Sequence, residues 1–186
     1  MIGIIFIGAP CSGKSTIAKA VRNRLGIPYT SSGDIARHMA EHNSAIKDDL
    51  NNGKMAPEIQ MRDKIYELIN IYTKYNTSFV LDGFPRFTEQ YEWLVNTFPN
   101  IRFICIYIKT SISTIYDRYS LRSRCDDTHG VFTQRVRYFI NETMPLLNIM
   151  DNVHKVHNND TSINELIDTV CINIEEELDA DDSEVR

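Results

Sequence analysis

The first fifteen residues pass from a continuous apolar run, Ile2 to Ile7, into a loop framed by glycines and then into a segment with helical spacing. A run that is apolar at every position is typical of a parallel β-strand buried on both faces. The loop, Gly8 to Ser15, fits the pattern G-x-x-x-x-G-K-[ST] and lies between a strand and a helix, as that pattern requires. This unit predicts an α/β fold with a phosphate-binding loop.

The chemistry of such a loop follows from its backbone. Successive N–H groups curl around an anion, and the N-terminus of the following helix adds its dipole. Lys14 is expected to reach the outer phosphates, and the hydroxyl of Ser15 or Thr16 can ligate Mg²⁺. The residues expected to form this phosphate site are Gly8, Ala9, Pro10, Cys11, Ser12, Gly13, Lys14, Ser15 and Thr16.

Strand and helix patterns alternate along the rest of the chain. Further strands are predicted at "SFVLDGFP", "IRFICIYIK" and "VHKVH", and 30–34 is predicted to be a loop. Helices are predicted at 14–25, 34–42, 44–51, 57–75, 88–97, 111–122, 128–149 and 162–177, and the acidic end, 178–186, is expected to fray. The alternation predicts one α/β domain whose parallel sheet is covered by helices on both faces.

Composition narrows the class of protein. The chain has 186 residues and a formal net charge of −5, which argues against nucleic acid or an anionic membrane as a partner. The apolar runs are too short to span a bilayer. Four cysteines without C-x-x-C spacing indicate neither a zinc site nor a disulfide framework. These features favour a soluble, cytoplasmic protein, and a monomer is expected.

Further motifs follow the loop in order: "SSGDIAR" at 31–37, "GKMAP" at 53–57, "LDGFPRFTEQ" at 81–90, "RYSLRSRCDD" at 118–127, and Arg135. Together they make the chain resemble the adenylate kinase family of nucleoside monophosphate kinases over residues 3 to 175. No N-K-x-D motif accompanies the loop, which argues against a GTPase. The resemblance implies a three-layer P-loop kinase fold with a five-stranded parallel sheet of order 2-3-1-4-5. It also implies the Mg²⁺-dependent reaction ATP + AMP ⇌ 2 ADP.

The resemblance assigns roles to cationic side chains, since phosphoryl transfer needs two anions held in line with their charges neutralised. The residues implied to act in catalysis are Lys14, Arg86, Arg122, Arg124 and Arg135, and those implied to hold ATP include Arg118 and Arg122 besides the loop. The residues implied to bind AMP are Ser32, Arg37, Lys54, Met55, Ala56, Gly83, Phe84, Pro85, Arg86, Gln90, Arg124 and Arg135. Asp82 is implied to hold Mg²⁺ through water, and Arg118 to stack on the donor base.

Gln90 occupies the family's base-reading position, four residues after Arg86. Its amide oxygen can accept from adenine N6 while its nitrogen donates to N1, which favours AMP. Relatives that use UMP or CMP are expected to carry asparagine at this position, and Ser32 also agrees with the adenylate relatives. A flipped amide can pair with guanine, so Gln90 excludes pyrimidines better than it excludes GMP.

The chain departs from the family at three places. Cys11 and Ser15 replace glycines, and Cys11 is expected to be tolerated only with a negative φ. Only Ser123 separates Arg122 from Arg124, so the lid at about 122–127 is expected to be a bare turn. Asp126 and Asp127 are expected to pair with lid arginines, and an acceptor-binding insert is expected at about 30–62. The alternatives are a UMP/CMP kinase and a non-catalytic nucleotide-binding protein in which these changes have abolished transfer.

Overall fold

A computed structural model describes residues 1–121, 128–159 and 161–184. The strands are β1 (Ile2–Gly8), β2 (Tyr29–Ser31), β3 (Phe79–Asp82), β4 (Arg102–Lys109) and β5 (Val153–His157). The helices are α1 (Lys14–Leu25), α2 (Ser32–His42), α3 (Ser44–Asn51), α4 (Glu58–Lys74), α5 (Thr88–Thr97), α6 (Ile112–Ser120), α7 (His129–Tyr138) and α8 (Ile163–Glu184). None of the described helices combines the length and hydropathy needed to cross a bilayer.

The five strands form one parallel sheet in the order β2-β3-β1-β4-β5, which confirms the predicted fold. β1 lies at its centre, and each residue from Ile2 to Ile7 is buried, as the uninterrupted apolar run requires. Because all strands run in the same direction, their carboxyl ends meet at one edge of the sheet. Ligands of open α/β sheets bind at this edge.

Two apolar clusters, one on each face of the sheet, pack helices against it and so give the fold three layers. Alternate residues of β1 point to opposite faces of the sheet, so that Ile4 packs in one cluster and Ile5 in the other. One cluster includes buried side chains of α1 and α8, and the other includes buried side chains of α4, α5, α6 and α7. The sheet is therefore covered on both faces, as predicted.

The structure differs most from the sequence-based element bounds in three places. Tyr29–Ser31 is an edge strand, although 30–34 was expected to be a loop. The single helix predicted at 128–149 is α-helical only to Tyr138 and continues as a π turn and a 3-10 turn. Pro145 has no N–H for the α-helical hydrogen bond, and its ring clashes with the preceding turn. The third difference is at the end of the chain, where α8 extends to Glu184 through most of the segment expected to fray.

Candidate active site

The carboxyl ends of the strands open into one cleft of about 850 Å³. The loop after β1, the start of α2, the segment after β3 and the start of α4 contribute to its lining, together with parts of α5 and α7. Every sequence-predicted site residue that the structure describes lines this cleft. Arg122, Arg124, Asp126 and Asp127 lie outside the described residues.

The phosphate-binding loop leads directly into α1, whose first residue is Lys14. Gly13 adopts φ 85°, a conformation that favours glycine. A Cβ at this position would also lie 2.6 Å from Asn158 Nδ2, so the close approach of the two segments requires glycine. Asn158 Nδ2 donates to the Ser12 carbonyl at 2.7 Å, which holds the loop against the end of β5.

Cys11 does not meet the condition under which a side chain was expected to be tolerated in the loop. It adopts φ 61°, in the left-handed region, and not the negative φ that this condition required. At this position the loop has a backbone conformation that is typical of glycine, although the cysteine carries a Cβ. A non-glycine residue in this conformation carries a strain of roughly 1–2 kcal/mol, which the rest of the loop must offset.

Lys14 extends into the cleft and forms an ion pair with Asp82. Tyr29 Oη donates to the other oxygen of this carboxylate at 2.6 Å. Burial lowers the pKa of Lys14 to about 7, and the positive charge of Arg86 adds to this effect. The Asp82 carboxylate acts in the opposite direction by stabilising the charged lysine. Binding of a polyanion would therefore strongly favour the protonated, charged form of Lys14.

Asp82 and Ser15 provide oxygen atoms near the loop, the type of ligand that Mg²⁺ prefers. Asp82 ends β3 and is only 2% exposed, and its Oδ1 has no hydrogen-bond partner although it faces the Lys14 ammonium. Ser15 is exposed in the first turn of α1 and also lines the cleft. The residues present therefore fit a Mg²⁺ ion held by the Ser15 hydroxyl and, through water, by Asp82.

Arg86 is the most constrained cation of the acceptor side. Its Nε donates to the Gly83 carbonyl at 2.8 Å, and its Nη atoms contact Met55 Sδ at 2.9 Å and Ser32 Oγ at 3.3 Å. Burial lowers the pKa of Arg86 to about 10, and the positive charges of Arg135 and Arg37 contribute. These three arginines are close enough to repel one another, and an anion between them would relieve that repulsion.

The remaining acceptor-side residues surround the same part of the cleft. Ser32 is buried at the start of α2, and its hydroxyl donates to the Gly83 carbonyl at 2.6 Å. Arg37 is exposed and pairs with Asp34 on the same helix. Lys54 is also exposed and forms an ion pair with Asp49 at 2.8 Å. Neither long side chain is held by a buried partner of the kind that holds Arg86.

Gln90 lies in the first turn of α5 and is 5% exposed. Its Oε1 accepts from the Arg86 backbone N–H at 2.7 Å, and its Nε2 donates to Glu58 Oε2 at 2.6 Å. The side chain is therefore held at the cleft wall.

Arg118 contacts the phosphate-binding loop and the end of β5. Its Nη1 donates to the Ser12 carbonyl at 3.2 Å, and its Nη2 donates to Asn158 Oδ1 at 3.1 Å. Its implied role of stacking on a donor base stays a prediction. In this structure the guanidinium, together with Asn158, braces the loop.

Among the described residues, sequence reasoning missed Tyr29, Glu58 and Asn158, whose side chains hydrogen-bond to predicted site residues. Asn158 directly follows β5, so its place at the carboxyl edge of the sheet was a signal that it could reach the cleft. Glu58 begins α4 just after the "GKMAP" motif, but its contact with Gln90 joins residues that are distant in sequence. Tyr29 carries no pattern that would connect it to Asp82.

Known proteins that are similar to this chain in sequence show its family. A family model described as an AAA domain matches residues 7–131. Adenylate kinase 1 of Synechocystis sp. is 29% identical over 181 residues, which cover 93% of this chain and 95% of that protein. The adenylate kinase of Encephalitozoon cuniculi is 32% identical over 148 residues, which cover 77% of this chain and 80% of that protein. The chain belongs to the adenylate kinase family.

A third member of the adenylate kinase family, from Mycobacterium bovis, is 30% identical over 152 residues, which cover 77% of this chain and 83% of that protein. Membership of the adenylate kinase family confirms the resemblance indicated by the ordered motifs between the phosphate-binding loop and Arg135. The roles of single residues, including Arg122 and Arg124, stay predictions.

Proposed function

We propose that this protein is an adenylate kinase that transfers the γ-phosphoryl group of ATP to AMP to give two ADP. The observation that carries the proposal is that one cleft joins a phosphate-binding loop to a separate set of arginines and to a buried glutamine amide. A protein that only bound ATP would need the loop but not a second anion site. The similarity of this chain to known adenylate kinases supports the same function.

The charges around the cleft suit a reaction between two anions. Lys14 on the loop side is expected to hold the outer phosphates of ATP, while Arg86 and Arg37 hold the phosphate of AMP. Arg135 repels Arg86 in the absence of substrate, and it is expected to stabilise the group in transfer. Because these cations are preorganised by the fold, little reorganisation is needed when charge develops in the transition state.

Mg²⁺ is part of the proposal, with Ser15 as a ligand and Asp82 acting through water. When bound, the ion would neutralise phosphate charge and help to orient the triphosphate. On nucleotide binding, Lys14 is expected to turn from Asp82 toward the phosphates, which would leave that carboxylate available to metal-bound water. A monomeric state and a cytoplasmic location belong to the proposal as predictions from the sequence.

Water must be kept from the transferring phosphoryl group, since it competes with AMP as an acceptor. The proposed acceptor insert at about 30–62 includes α2 and α3 and ends at α4. We expect this insert and the short lid at about 122–127 to close over the substrates. Both segments belong to a single kinase domain that we expect to span 1–177.

A coupled assay of ADP formation tests the proposal. ATP and Mg²⁺ are held constant while AMP, GMP, UMP and CMP are supplied in turn. Turnover is expected to be highest with AMP. Equal or faster turnover of UMP or CMP would instead identify a UMP/CMP kinase, and nucleotide binding without turnover of any acceptor would identify a non-catalytic protein.

A further inference from the structure

Gln90 is held by two partners with opposite hydrogen-bonding character. The Arg86 backbone N–H can only donate, and it meets Gln90 Oε1 at 2.7 Å. The Glu58 carboxylate can only accept, and its Oε2 meets Gln90 Nε2 at 2.6 Å. A flipped amide would place oxygen against carboxylate and NH₂ against N–H. Both hydrogen bonds would then be lost and replaced by repulsive contacts.

Glu58 is itself fixed in place. It is the first residue of α4, where the helix dipole favours a carboxylate. Its second oxygen, Oε1, accepts from Arg62 Nε at 2.5 Å. Arg62 lies over the ring of Trp93, with 5.5 Å between the guanidinium carbon and the ring centroid. A series of contacts thus runs from Trp93 on α5, through Arg62 and Glu58 on α4, to the Gln90 amide.

We propose that Glu58 is a positioning residue that fixes the orientation of the Gln90 amide and so makes the acceptor site selective for adenine over 6-oxopurines. An amide can make four hydrogen bonds, and two of those of Gln90 are used by Arg86 and Glu58. One lone pair on Oε1 and one N–H on Nε2 remain. This pair matches adenine, which donates from N6 and accepts at N1. Hypoxanthine and guanine present the reverse pattern, an accepting O6 and a donating N1.

The inference rests on the proposed function, because it assumes that AMP occupies the acceptor site beside Gln90. It goes further by assigning the discrimination to a residue that need not touch the base. Glutamine alone would tolerate either purine class through a flip of its amide. Glu58 and the Arg86 N–H together remove that freedom.

Glu58→Gln is the appropriate variant because it keeps the size of the side chain and removes the restriction to accepting, together with the negative charge, whose loss the control below reproduces. The amide at position 58 can then satisfy either orientation of Gln90. Glu58 is 41% exposed, so the substitution is compatible with folding. Glu67→Gln is the matched control, since Glu67 is an ion-paired carboxylate on the same helix but outside the cleft.

The experiment measures kcat/KM with AMP and with IMP for the parent protein and both variants. AMP and IMP differ only at the base edge in question, so the extra amino group of guanine does not interfere. In Glu58→Gln the AMP-to-IMP ratio is expected to fall by about tenfold or more, the equivalent of one charge-assisted hydrogen bond. The fall should include a rise in IMP turnover, while KM for ATP stays constant and Glu67→Gln retains the parent ratio.

Two results would overturn the inference in distinguishable ways. If the parent protein phosphorylates AMP and Glu58→Gln keeps its AMP-to-IMP ratio within twofold, Glu58 does not set the selectivity, and the proposed function stands. If the parent protein does not phosphorylate AMP, the proposed function and the inference both fail. Loss of stability in the variant would lower both activities together and cannot imitate a rise with IMP.

Discussion

Replacement of Cys11 by glycine should give a more stable folded protein than its replacement by alanine. Cys11 has φ 61°, and a side chain in this region costs roughly 1–2 kcal/mol that glycine does not incur. Glycine gives the unfolded chain more freedom, which opposes the gain by about 0.4–1 kcal/mol. At the middle of both ranges, the free energy of unfolding of Cys11→Gly should therefore exceed that of Cys11→Ala by about 0.8 kcal/mol. For a chain of this size that corresponds to a difference in Tm of about 1–4 °C.

Urea and thermal denaturation of the nucleotide-free protein provide the assay, with Cys11→Ala as the control. Alanine retains Cβ and removes only the sulfur, so the difference between the glycine and alanine variants isolates the backbone effect. Cys11→Gly should be the more stable of the two. If Cys11→Ala is equally or more stable, the loop does not strain the residue at this position, and the reasoning from φ is refuted.

Other predictions concern the ligand sites. Gln90→Ala should raise KM for AMP far more than KM for ATP, since it removes binding on one side only; an equal rise in both would contradict the assignment. Arg86→Ala should lower kcat/KM by at least ~10²-fold without loss of the folded circular dichroism spectrum, whereas activity within a few-fold of the parent would exclude the role. Burial lowers the pKa of Lys14 in the free protein to about 7, and bound phosphate would raise it again, so ATP binding near neutral pH should be accompanied by proton uptake. Calorimetry in buffers of different ionisation enthalpy measures this uptake, which should vanish in Lys14→Met; a heat independent of buffer in the parent protein would refute it.

The parts of the fold predicted best are those specified by short, contiguous signals. The apolar run of β1 indicates a buried strand, and the glycine-framed pattern after it indicates a loop that leads into a helix. Both were predicted at the residues where they occur. The edge strand Tyr29–Ser31 was missed because three residues are too few to show a period. Its conformation depends on pairing with β3, which lies about fifty residues further along the chain. The five-strand order therefore came from the family resemblance and not from local pattern.

The candidate site shows the same division. The residues of the motifs were predicted, because a phosphate-binding loop and successive arginines leave a recognisable spacing. The contacts that orient them were not, since Glu58 meets Gln90 across 32 positions of sequence and Asn158 meets Ser12 across 146. Cys11 was expected to be tolerated only with a negative φ, and its left-handed conformation shows that the loop turn, and not the preference of the side chain, determines φ at this position.

A structure of the protein with a bisubstrate analogue, two adenosines joined by five phosphates, tests the central claim most directly. The account predicts that one adenine lies within about 3.2 Å of the Gln90 amide, and that phosphate oxygens contact both Lys14 and Arg86. The second adenosine should then lie on the side of the phosphate-binding loop. An analogue bound by the loop alone, with its other adenosine outside the cleft and Gln90 still without a base, would contradict phosphoryl transfer to AMP at this site.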